Sequence, residues 1–447
     1  MHQEVISAIL QLLDLFSLFY IYSTTDKNYT MYSFSRYNFI KLEIWFKSMG
    51  FDFQSENNNI NNDLDYNYKQ VLAENLDCPV ENLASIVGPI EFVHIINKYT
   101  PDNFYTGDFL SEHFDELYQN VLNKTFRINL HMHTVESDGR LTVEELLNQA
   151  VIYADNVKSK INDDLPAFMI SITNHDSLEG TKKALKIIAE NPDKFKDIKF
   201  VTGIEFSVTL DNEKILKKPL ATDLMGYCIN PYDEDLNNFQ QNIKNSRNEE
   251  AQKILLKLSE FGVKENWETV KNSHVLIKIA GSMAFFDFIK HYIYKNYKKS
   301  PNLIKHKEEI EKLFEGKQTT FSSTVKEVAS IINKSFGYIG LAHPGRIHLS
   351  KIDESKVFPT KNRDFKLEGL YLLLKDSVFQ GATLAESNYH YTMRHYSEEL
   401  HKLVDVTNLF CEEANLLKTG GTDGHRANIF THTLDLSDEE LNLFLRS

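Results

Sequence analysis

The sequence predicts an α/β protein, and two features between residues 126 and 435 carry that prediction. Short apolar segments alternate there with amphipathic helical segments, which is the pattern of strand–helix–strand units in a parallel sheet, open or closed. Each of these apolar segments also ends in histidine, aspartate or glutamate residues. A charged helical stretch, about residues 232–325, interrupts the alternation and predicts a helical subdomain inserted into the sheet domain.

The segments can be followed in chain order. RINLHMHT (Arg127–Thr134) predicts a short strand that ends in two histidines. Leu141–Ala154 predicts an amphipathic helix, and Thr142 with Glu145 has the spacing of a capping box at its start. Four further apolar segments predict strands of the same kind: Phe168–Asp176, Lys199–Val208, Tyr338–Arg346 and Leu416–His425.

The regions outside this pattern contain no catalytic motif. Residues 1–125 are rich in Asn, Tyr, Phe and Ile and predict a mainly helical accessory domain of unknown role. Within them, the polar run Ser55–Asn67 predicts a flexible loop. The apolar segment Val5–Tyr22 predicts a buried amphipathic helix, because Gln11 and Asp14 interrupt it. A secretory signal is not expected, because no Lys or Arg precedes the segment. Residues 436–447 predict a short C-terminal helix.

Composition excludes several classes of protein. Of 447 residues, 42% are hydrophobic and 25% are charged, which is globular and not disordered, fibrous or polytopic in a membrane. The net charge of −14 gives no general attraction to nucleic acid or to an anionic membrane. The three cysteines, Cys78, Cys228 and Cys411, are too isolated for a disulfide framework or a thiolate zinc site. A reducing, cytoplasmic location is the expectation.

The residues that end the predicted strands are of metal-binding type. His131 and His133 are two apart on a strand, so both side chains point to the same face, and Asp423 and His425 repeat this spacing. Sites in parallel α/β proteins lie at the carboxyl ends of the strands. Imidazoles combined with carboxylates suit Zn, Mn or Fe. The full set of candidates at these ends also includes Asp138, His175, Glu205 and His343.

Five motifs in order resemble those of the PHP superfamily (polymerase and histidinol phosphatase). They are HMHTVESDGR, ITNHDSLEG, GIEFSV, AHPGR and GTDGH, and the resemblance extends from Arg127 to Phe430. It is strongest to stand-alone PHP phosphoesterases that act on nucleotides and similar small phosphates. The resemblance implies a PHP-type distorted (β/α)7 barrel over residues 126–435, with the inserted helical stretch as a cap and two or three metal ions at the strand ends.

The resemblance also implies how the candidates share these ions. A first metal would be held by His131, His133, Glu205 and Asp423. A second would be held by Asp138, His175 and His425. A third would be held by Glu205, His343 and Asp223.

Two departures from the family pattern stand out. Asp223, in TDLMGY, occupies a position where many relatives have a histidine, and a carboxylate favours Mn or Fe over Zn. Relatives also tend to carry an Arg-x-His pair in the cap, where this chain has Gly281 and Met283. The second departure puts the usual nucleotide substrate in doubt and leaves the metal core unaffected.

Further residues near the motifs have expected roles. Arg346, directly after HPG, would face the substrate phosphate. His390 and His348 are candidates for the acid that protonates the leaving oxygen, and the sequence does not decide between them. Asp176 would orient the imidazole of a metal ligand.

The sequence thus predicts hydrolysis of a phosphate ester, of a small metabolite or nucleotide, by a metal-activated hydroxide. Two alternatives stay open. One is a PHP-type nuclease acting on DNA or RNA, which the net charge disfavours but a local basic run, Lys295–Ser300, keeps open. The other is a non-catalytic, metal-stabilised module that binds proteins. The expected partner is a small phosphorylated substrate and not a membrane, and homo-oligomerisation through the N-terminal domain is left open.

Overall fold

The computed structural model describes residues 54–98, 127–158, 166–271, 285–314, 323–347, 349–389 and 398–425. The chain divides into two compact units, residues 1–63 and 64–447. In the first unit only residues 54–63 are described, and their backbone is helical. The predicted helices at Val5–Tyr22 and residues 436–447 lie outside the described residues, as do the predicted domain boundaries near residues 125 and 435.

Helical segments precede the sheet: α1 (Gln54–Leu76), a 3-10 turn (Val80–Leu83) and α2 (Pro89–Lys98). The prediction of a flexible loop over Ser55–Asn67 is wrong, because these residues lie in α1. Tyr68 and Leu72 anchor the second half of this helix, since both are fully buried in the core. Extending an anchored helix by one residue adds a hydrogen bond at small cost, even through asparagine.

The strands form one seven-stranded sheet. They are β1 (Ile128–Asn129), β2 (Phe168–Ile172), β3 (Ile198–Leu210), β4 (Leu220–Tyr227), β5 (Tyr338–Leu341), β6 (Leu384–Tyr389) and β7 (Leu417–Gly421). Helices that follow the strands are α3 (Val143–Lys158), α4 (Glu179–Glu190), α10 (Val325–Lys334), α11 (Phe365–Phe379) and α12 (Glu398–Ala414). The inserted stretch between β4 and α10 contains α5 (Glu234–Ser259), α6 (Trp267–Lys271), α7 (Phe285–Tyr297), α8 (Pro301–Lys305) and α9 (Lys307–Phe314).

The sheet curls until its two edges meet. Strand order follows chain order, and beyond β1 and β7 the chain pairs again through a parallel bridge between Met132 and Gly424. The Leu130 amide also donates to the Gly420 carbonyl at 3.0 Å. The result is a nearly closed, barrel-shaped sheet, which agrees with the expected barrel.

One strand departs from the parallel arrangement. β4 is antiparallel to both of its neighbours, β3 and β5, whereas the other strand pairs are parallel. The prediction of a parallel sheet is therefore wrong at β4. Residues 211–219 are the whole connection from β3 to β4, and a parallel crossover needs a dozen or more residues. A short connection leaves a hairpin as the available geometry.

Apolar side chains close the amino-terminal end of the barrel. Tyr338 and Leu384, at the starts of β5 and β6, cluster there with Tyr227, which ends the antiparallel β4. Phe92 of α2 packs against this cluster, with its ring 5.6 Å from that of Tyr227 and 5.7 Å from that of Tyr338. Helix α2 thus covers one end of the sheet, and the polar strand ends lie at the other.

The inserted helices have a core of their own. Buried side chains of α5, α7, α8 and α9 form a cluster separate from those of the barrel, and its members include Leu255, Leu258, Ile289, Ile293, Leu303 and Ile310. The Asp233 side chain caps α5 by accepting a hydrogen bond from the Leu236 amide at 2.9 Å. The described residues between β4 and α10 are thus mainly helical.

Candidate metal centre

Two of the motifs meet where the barrel closes. The His133 amide donates to the Gly424 carbonyl at 2.9 Å, and the Gly424 amide donates to the His131 carbonyl at 3.2 Å. This pairing brings the H-x-H and D-x-H pairs of the two chain segments side by side. Gly421 permits the approach, because a Cβ there would lie 2.5 Å from the His131 Cβ.

The ends of β2 and β3 add a second pair of candidates. His175 and Glu205 form a parallel bridge, and the Asp176 amide donates to the Glu205 carbonyl at 2.7 Å. The positive φ of Asp176, 46°, turns the chain at this point. His175 and Glu205 are 5% and 0% exposed, so their polar atoms are held away from bulk solvent.

A tight turn carries Asp138 to the same place. The Gly139 amide donates to the Thr134 carbonyl at 3.0 Å, and a side chain at Gly139 would collide with the His133 carbonyl. Asn174 ties this turn to β2, since its Oδ1 accepts from the Thr134 amide at 2.7 Å and from the Ser137 hydroxyl at 3.0 Å. Asn174, two residues beyond the end of β2, therefore helps to hold the turn that carries Asp138.

Asp223 of β4 and His343, which follows β5, also lie close to Glu205. Nε2 of His343 lies 3.2 Å from Oε1 of Glu205 and 3.8 Å from Oδ2 of Asp223. The backbone φ is 27° at His343 and 50° at Asp423, and residues other than glycine rarely adopt such positive values. Such strained residues concentrate at functional sites, where the surrounding structure holds them in place.

The structure brings all nine predicted metal-ligand candidates together. They form three overlapping groups, and within each group one ligand atom per residue lies within 4.8 Å of the others. The first group is His131, His133, Glu205 and Asp423. The second is His133, Asp138, His175 and His425. The third is His175, Glu205 and Asp223, with His343 in contact with its two carboxylates.

The chemistry of these atoms fits bound cations. Neither ring nitrogen of His133 has a hydrogen-bond partner among the described residues, although the ring is buried. Its Nε2 lies 3.0 Å from an oxygen of Asp423 and 3.3 Å from one of Glu205. Oδ1 of Asp223 is also buried and has no partner in the described part of the chain. Buried acceptors that converge in this way are unfavourable unless a cation joins them.

Neighbouring carboxylates raise the pKa values of two candidate imidazoles. Burial alone would lower the pKa of His131, but Glu386, Glu205 and Asp423 raise it well above its usual value. Burial likewise opposes protonation of His425, yet Asp138 and Asp423 raise its pKa to about 9. Protons on these rings thus balance the carboxylates when no metal ion does. Metal binding replaces such protons, since the ligand nitrogen must be deprotonated.

In two other groups the pKa shift favours the uncharged form. Burial, together with the neighbouring rings of His425 and His175, lowers the pKa of His133 to about 4. Burial and the charge of Glu205 raise the pKa of Asp223 to about 7. His133 is therefore a neutral imidazole at physiological pH, which is the form that binds metals.

Asp176 does not orient an imidazole as expected. Its carboxylate accepts hydrogen bonds from the Ser207 amide at 3.0 Å and the Ser207 hydroxyl at 2.9 Å, and it forms an ion pair with Arg247 of α5. Its side chain faces Ser207 of β3. Asp176 thus links the end of β2 to the inserted helices.

Sequence reasoning missed Asn174, Arg247 and Glu386. Glu386 lies on β6, is 1% exposed, and contacts Nδ1 of His131 at 2.9 Å. A signal existed for it, because ESNYH follows an apolar segment as the other motifs do. No local signal distinguishes Arg247 from the other charged residues of its helix.

Several predicted residues cannot be placed in the site. The backbone of Arg346 lies in a 3-10 turn, Pro344–Arg346, directly after His343, but its side chain is outside the described part. His348 and His390 lie outside the described residues, as do Gly281 and Met283 of the inserted stretch. Their roles stay predictions.

Among the described residues, no helix has both the length and the apolar character that crossing a membrane requires. No protein-family model matches the sequence, and no curated protein is significantly similar to it.

Solved structures do resemble this one. A protein described as a metal-dependent phosphoesterase from Bifidobacterium adolescentis has a TM-score of 0.44 and 16% identity, over 71% of this chain and 95% of that one. An amidohydrolase from Chromobacterium violaceum, solved with bound sulfate and without metal, has a TM-score of 0.44 and 19% identity, over 71% of this chain and 96% of that one. In this chain, the assembled His, Asp and Glu residues form groups that could hold metal ions.

Proposed function

We propose that the protein hydrolyses phosphate esters of small metabolites or nucleotides with two or three divalent metal ions. One observation carries this proposal: three groups of ligand atoms overlap, all their residues but the half-buried Asp138 are buried, and Glu205 belongs to two of the groups. A carboxylate shared in this way suits metal ions held close together, which is the arrangement used in phosphoryl hydrolysis. The His-rich set without thiolates favours Zn, Mn or Fe.

Different residues of the chain would have different roles in this reaction. Ions bound in the three groups would supply an activated water near neutral pH and positive charge for the phosphate oxygens. Glu205 and Asp423 balance that charge, and both are buried, so the balance is not screened by solvent. Arg346 follows a candidate ligand, His343, by three residues and would donate two parallel hydrogen bonds to the substrate phosphate.

A proton must reach the leaving oxygen of the ester. His348 and His390 are the residues we propose for this step, because both follow strands that contribute to the site and an imidazole can donate near neutral pH. Their separate replacement by glutamine, read with a good and a poor leaving group, identifies the donor. The acid should matter more for the poor leaving group, since that oxygen needs protonation most.

The test is a panel of substrates run with metal analysis. Metal-depleted protein reloaded with Mn²⁺, Zn²⁺ or Fe²⁺ is assayed on p-nitrophenyl phosphate, on bis(p-nitrophenyl) phosphate and on a labelled oligonucleotide. We expect metal-dependent turnover of a small ester and none of the oligonucleotide. Turnover of the oligonucleotide alone would establish the nuclease alternative. Stoichiometric metal without any turnover would favour a structural metal cluster.

A further inference from the structure

Glu386 is a buried carboxylate outside the nine metal-ligand candidates. Its Oε1 lies 2.9 Å from Nδ1 of His131, and its Oε2 accepts a hydrogen bond from the His343 amide at 2.7 Å. The register of β6 against β7 shifts between Glu386 and Asn388. Irregularities of this kind re-aim a side chain within a sheet and occur next to active sites.

The contact with His131 determines which ring nitrogen faces the site. A carboxylate beside Nδ1 favours a proton on that nitrogen, so the neutral ring presents the lone pair of Nε2. Nε2 points at Oε2 of Glu205, 3.2 Å away, and at Oδ1 of Asp423, 3.3 Å away. An electron pair and two carboxylate oxygens then meet at one point, which suits a metal ion.

The second oxygen of Glu386 acts on a different strand. It holds the backbone of His343, whose φ of 27° needs support from its surroundings. The rings of His131 and His343 stack with centroids 5.6 Å apart. Nε2 of His343 lies 3.2 Å from Oε1 of Glu205, and Nε2 of His131 lies 3.2 Å from Oε2 of the same carboxylate. Glu386 thus holds one histidine at each oxygen of Glu205.

We propose that Glu386 is a positioning residue that fixes the Nε2-ligating tautomer of His131 and the backbone of His343, and so sets metal affinity on both sides of Glu205. The proposal rests on the proposed function, because it needs metal ions in these groups. It assigns one carboxylate to two ligands that are more than two hundred residues apart in the chain.

Glutamine at this position is not a neutral replacement. If its amide oxygen faces His131, its NH₂ group faces the His343 N–H, and two donors oppose each other. If the amide is turned round, its NH₂ group faces Nδ1 of His131 and favours the tautomer with the proton on Nε2. That tautomer cannot bind a metal through Nε2. Either orientation should weaken metal binding, whereas aspartate keeps the charge and should recover part of it.

Metal affinity tests the proposal without relying on activity. Mn²⁺ is titrated calorimetrically into metal-free full-length wild type, Glu386→Gln and Glu386→Asp, with circular dichroism to check the fold. We expect Glu386→Gln to weaken binding by about 10–100-fold, the usual effect of removing a partner of a ligand histidine. Glu368→Gln is the matched control, because Glu368 of α11 is also a buried carboxylate, 8% exposed, whose ion-pair partner is Arg363 and which belongs to none of the three ligand groups.

A second measurement uses the wild type and covers the case in which the variants do not fold. Protein labelled with ¹⁵N-histidine is loaded with Zn²⁺, and His131 is assigned from the signals lost in His131→Asn. We expect long-range ¹H–¹⁵N correlations to show His131 protonated at Nδ1 and bound to metal through Nε2. A proton on Nε2 in the Zn²⁺-loaded protein would overturn the proposal.

The outcomes separate this inference from the proposed function. Wild type that binds no metal would refute both. Wild type that binds metal, with Glu386→Gln binding equally well, would refute the positioning role alone and leave the hydrolase proposal intact. Weaker binding in Glu386→Gln with unchanged binding in Glu368→Gln supports the inference.

Discussion

The metal end of the barrel, which is the end that carries the nine metal-ligand candidates, and the inserted helices α5–α9 both contain well-buried side chains, but of different kinds. At the barrel end, His131, Glu205 and Asp423 are at most 1% exposed and lie among other titratable groups. In the inserted stretch, Leu258, Ile289 and their neighbours form an apolar cluster. Apolar burial stabilises by itself, whereas a cluster of carboxylates and imidazoles needs protons or metal ions to be tolerated.

Arg247 joins the two regions. It extends from α5 to the carboxylate of Asp176, and Nη2 also lies 3.5 Å from the Ser207 hydroxyl. Arg247 is 3% exposed, so this ion pair is largely removed from water. Breaking one side of a buried pair costs more than the pair contributes, because the other charge is left alone. The ion pair therefore ties α5 to the end of β2.

The largest expected effect comes from removing ligands at the metal end. The double variant His131→Ala, His133→Ala should lose the metal of the first group and all metal-dependent turnover, because no nearby side chain replaces two imidazoles. Metal content by elemental analysis and hydrolysis of a phosphoester are measured together. A double variant that keeps full metal content would show that these histidines are not ligands.

A matched change in the inserted helices should act on stability alone. Leu258→Ala removes a fully buried side chain and should lower the free energy of unfolding by about 2–5 kcal/mol. Metal content should stay at the wild-type level, since the apolar cluster has no ligand candidate. Denaturant unfolding and elemental analysis test both parts. Loss of metal from folded Leu258→Ala protein would show that the two regions are more tightly coupled than their cores suggest.

Arg346 is predicted to affect turnover without affecting metal binding. Arg346→Ala should lose about 2–4 kcal/mol of transition-state stabilisation, by analogy with removal of one charge-stabilising donor elsewhere. Arg346→Lys should recover part of this, because a lysine cannot donate two parallel hydrogen bonds. The measurement is kcat/KM with metal content in parallel. Equal values for wild type and Arg346→Ala would leave phosphate recognition to the metal ions.

Metal binding should depend on pH in a defined direction. Burial opposes protonation of His425, but Asp138 and Asp423 raise its pKa to about 9, so the metal-free ring is protonated at neutral pH. The affinity of the second group for a metal ion should therefore rise with pH until about 9, because the ion then has fewer His425 rings to deprotonate. Without metal, the interactions of protonated His425 with Asp138 and Asp423 stabilise the fold. This stabilisation should be lost as the pH rises through the pKa of His425, about 9.

Calorimetric titration in two buffers of different ionisation enthalpy counts the protons released on metal binding. Proton release at pH 7.5 and little above pH 9.5 is the expected pattern. Release that does not change with pH would contradict the assignment of His425 to this group.

The smallest expected effect concerns metal preference. Asp223→His should shift the third group from Mn or Fe toward Zn, because imidazole is a softer ligand than carboxylate. Competition between Mn²⁺ and Zn²⁺, followed by elemental analysis, measures the shift against wild type. An unchanged Mn-to-Zn ratio would mean that Asp223 does not contact an ion.

The sequence by itself determined the kinds of residue at the site and their places at strand ends. This was predictable because hydrophobic alternation, H-x-H spacing and capping boxes are local properties of the chain. The capping box of Thr142 and Glu145 is present, with the Glu145 carboxylate 2.8 Å from the Thr142 amide. The helical character of the inserted stretch followed from its charge pattern in the same way.

Only the tertiary structure decided which residues meet. Glu386 reaches His131 across 255 positions of sequence, and Arg247 reaches Asp176 from a different helix. The direction of β4 and the helical state of Ser55–Asn67 also depended on connections and packing that no local pattern records. Closure of the sheet is the physical reason, since it brings β1 against β7 and makes neighbours of segments that are distant in the chain.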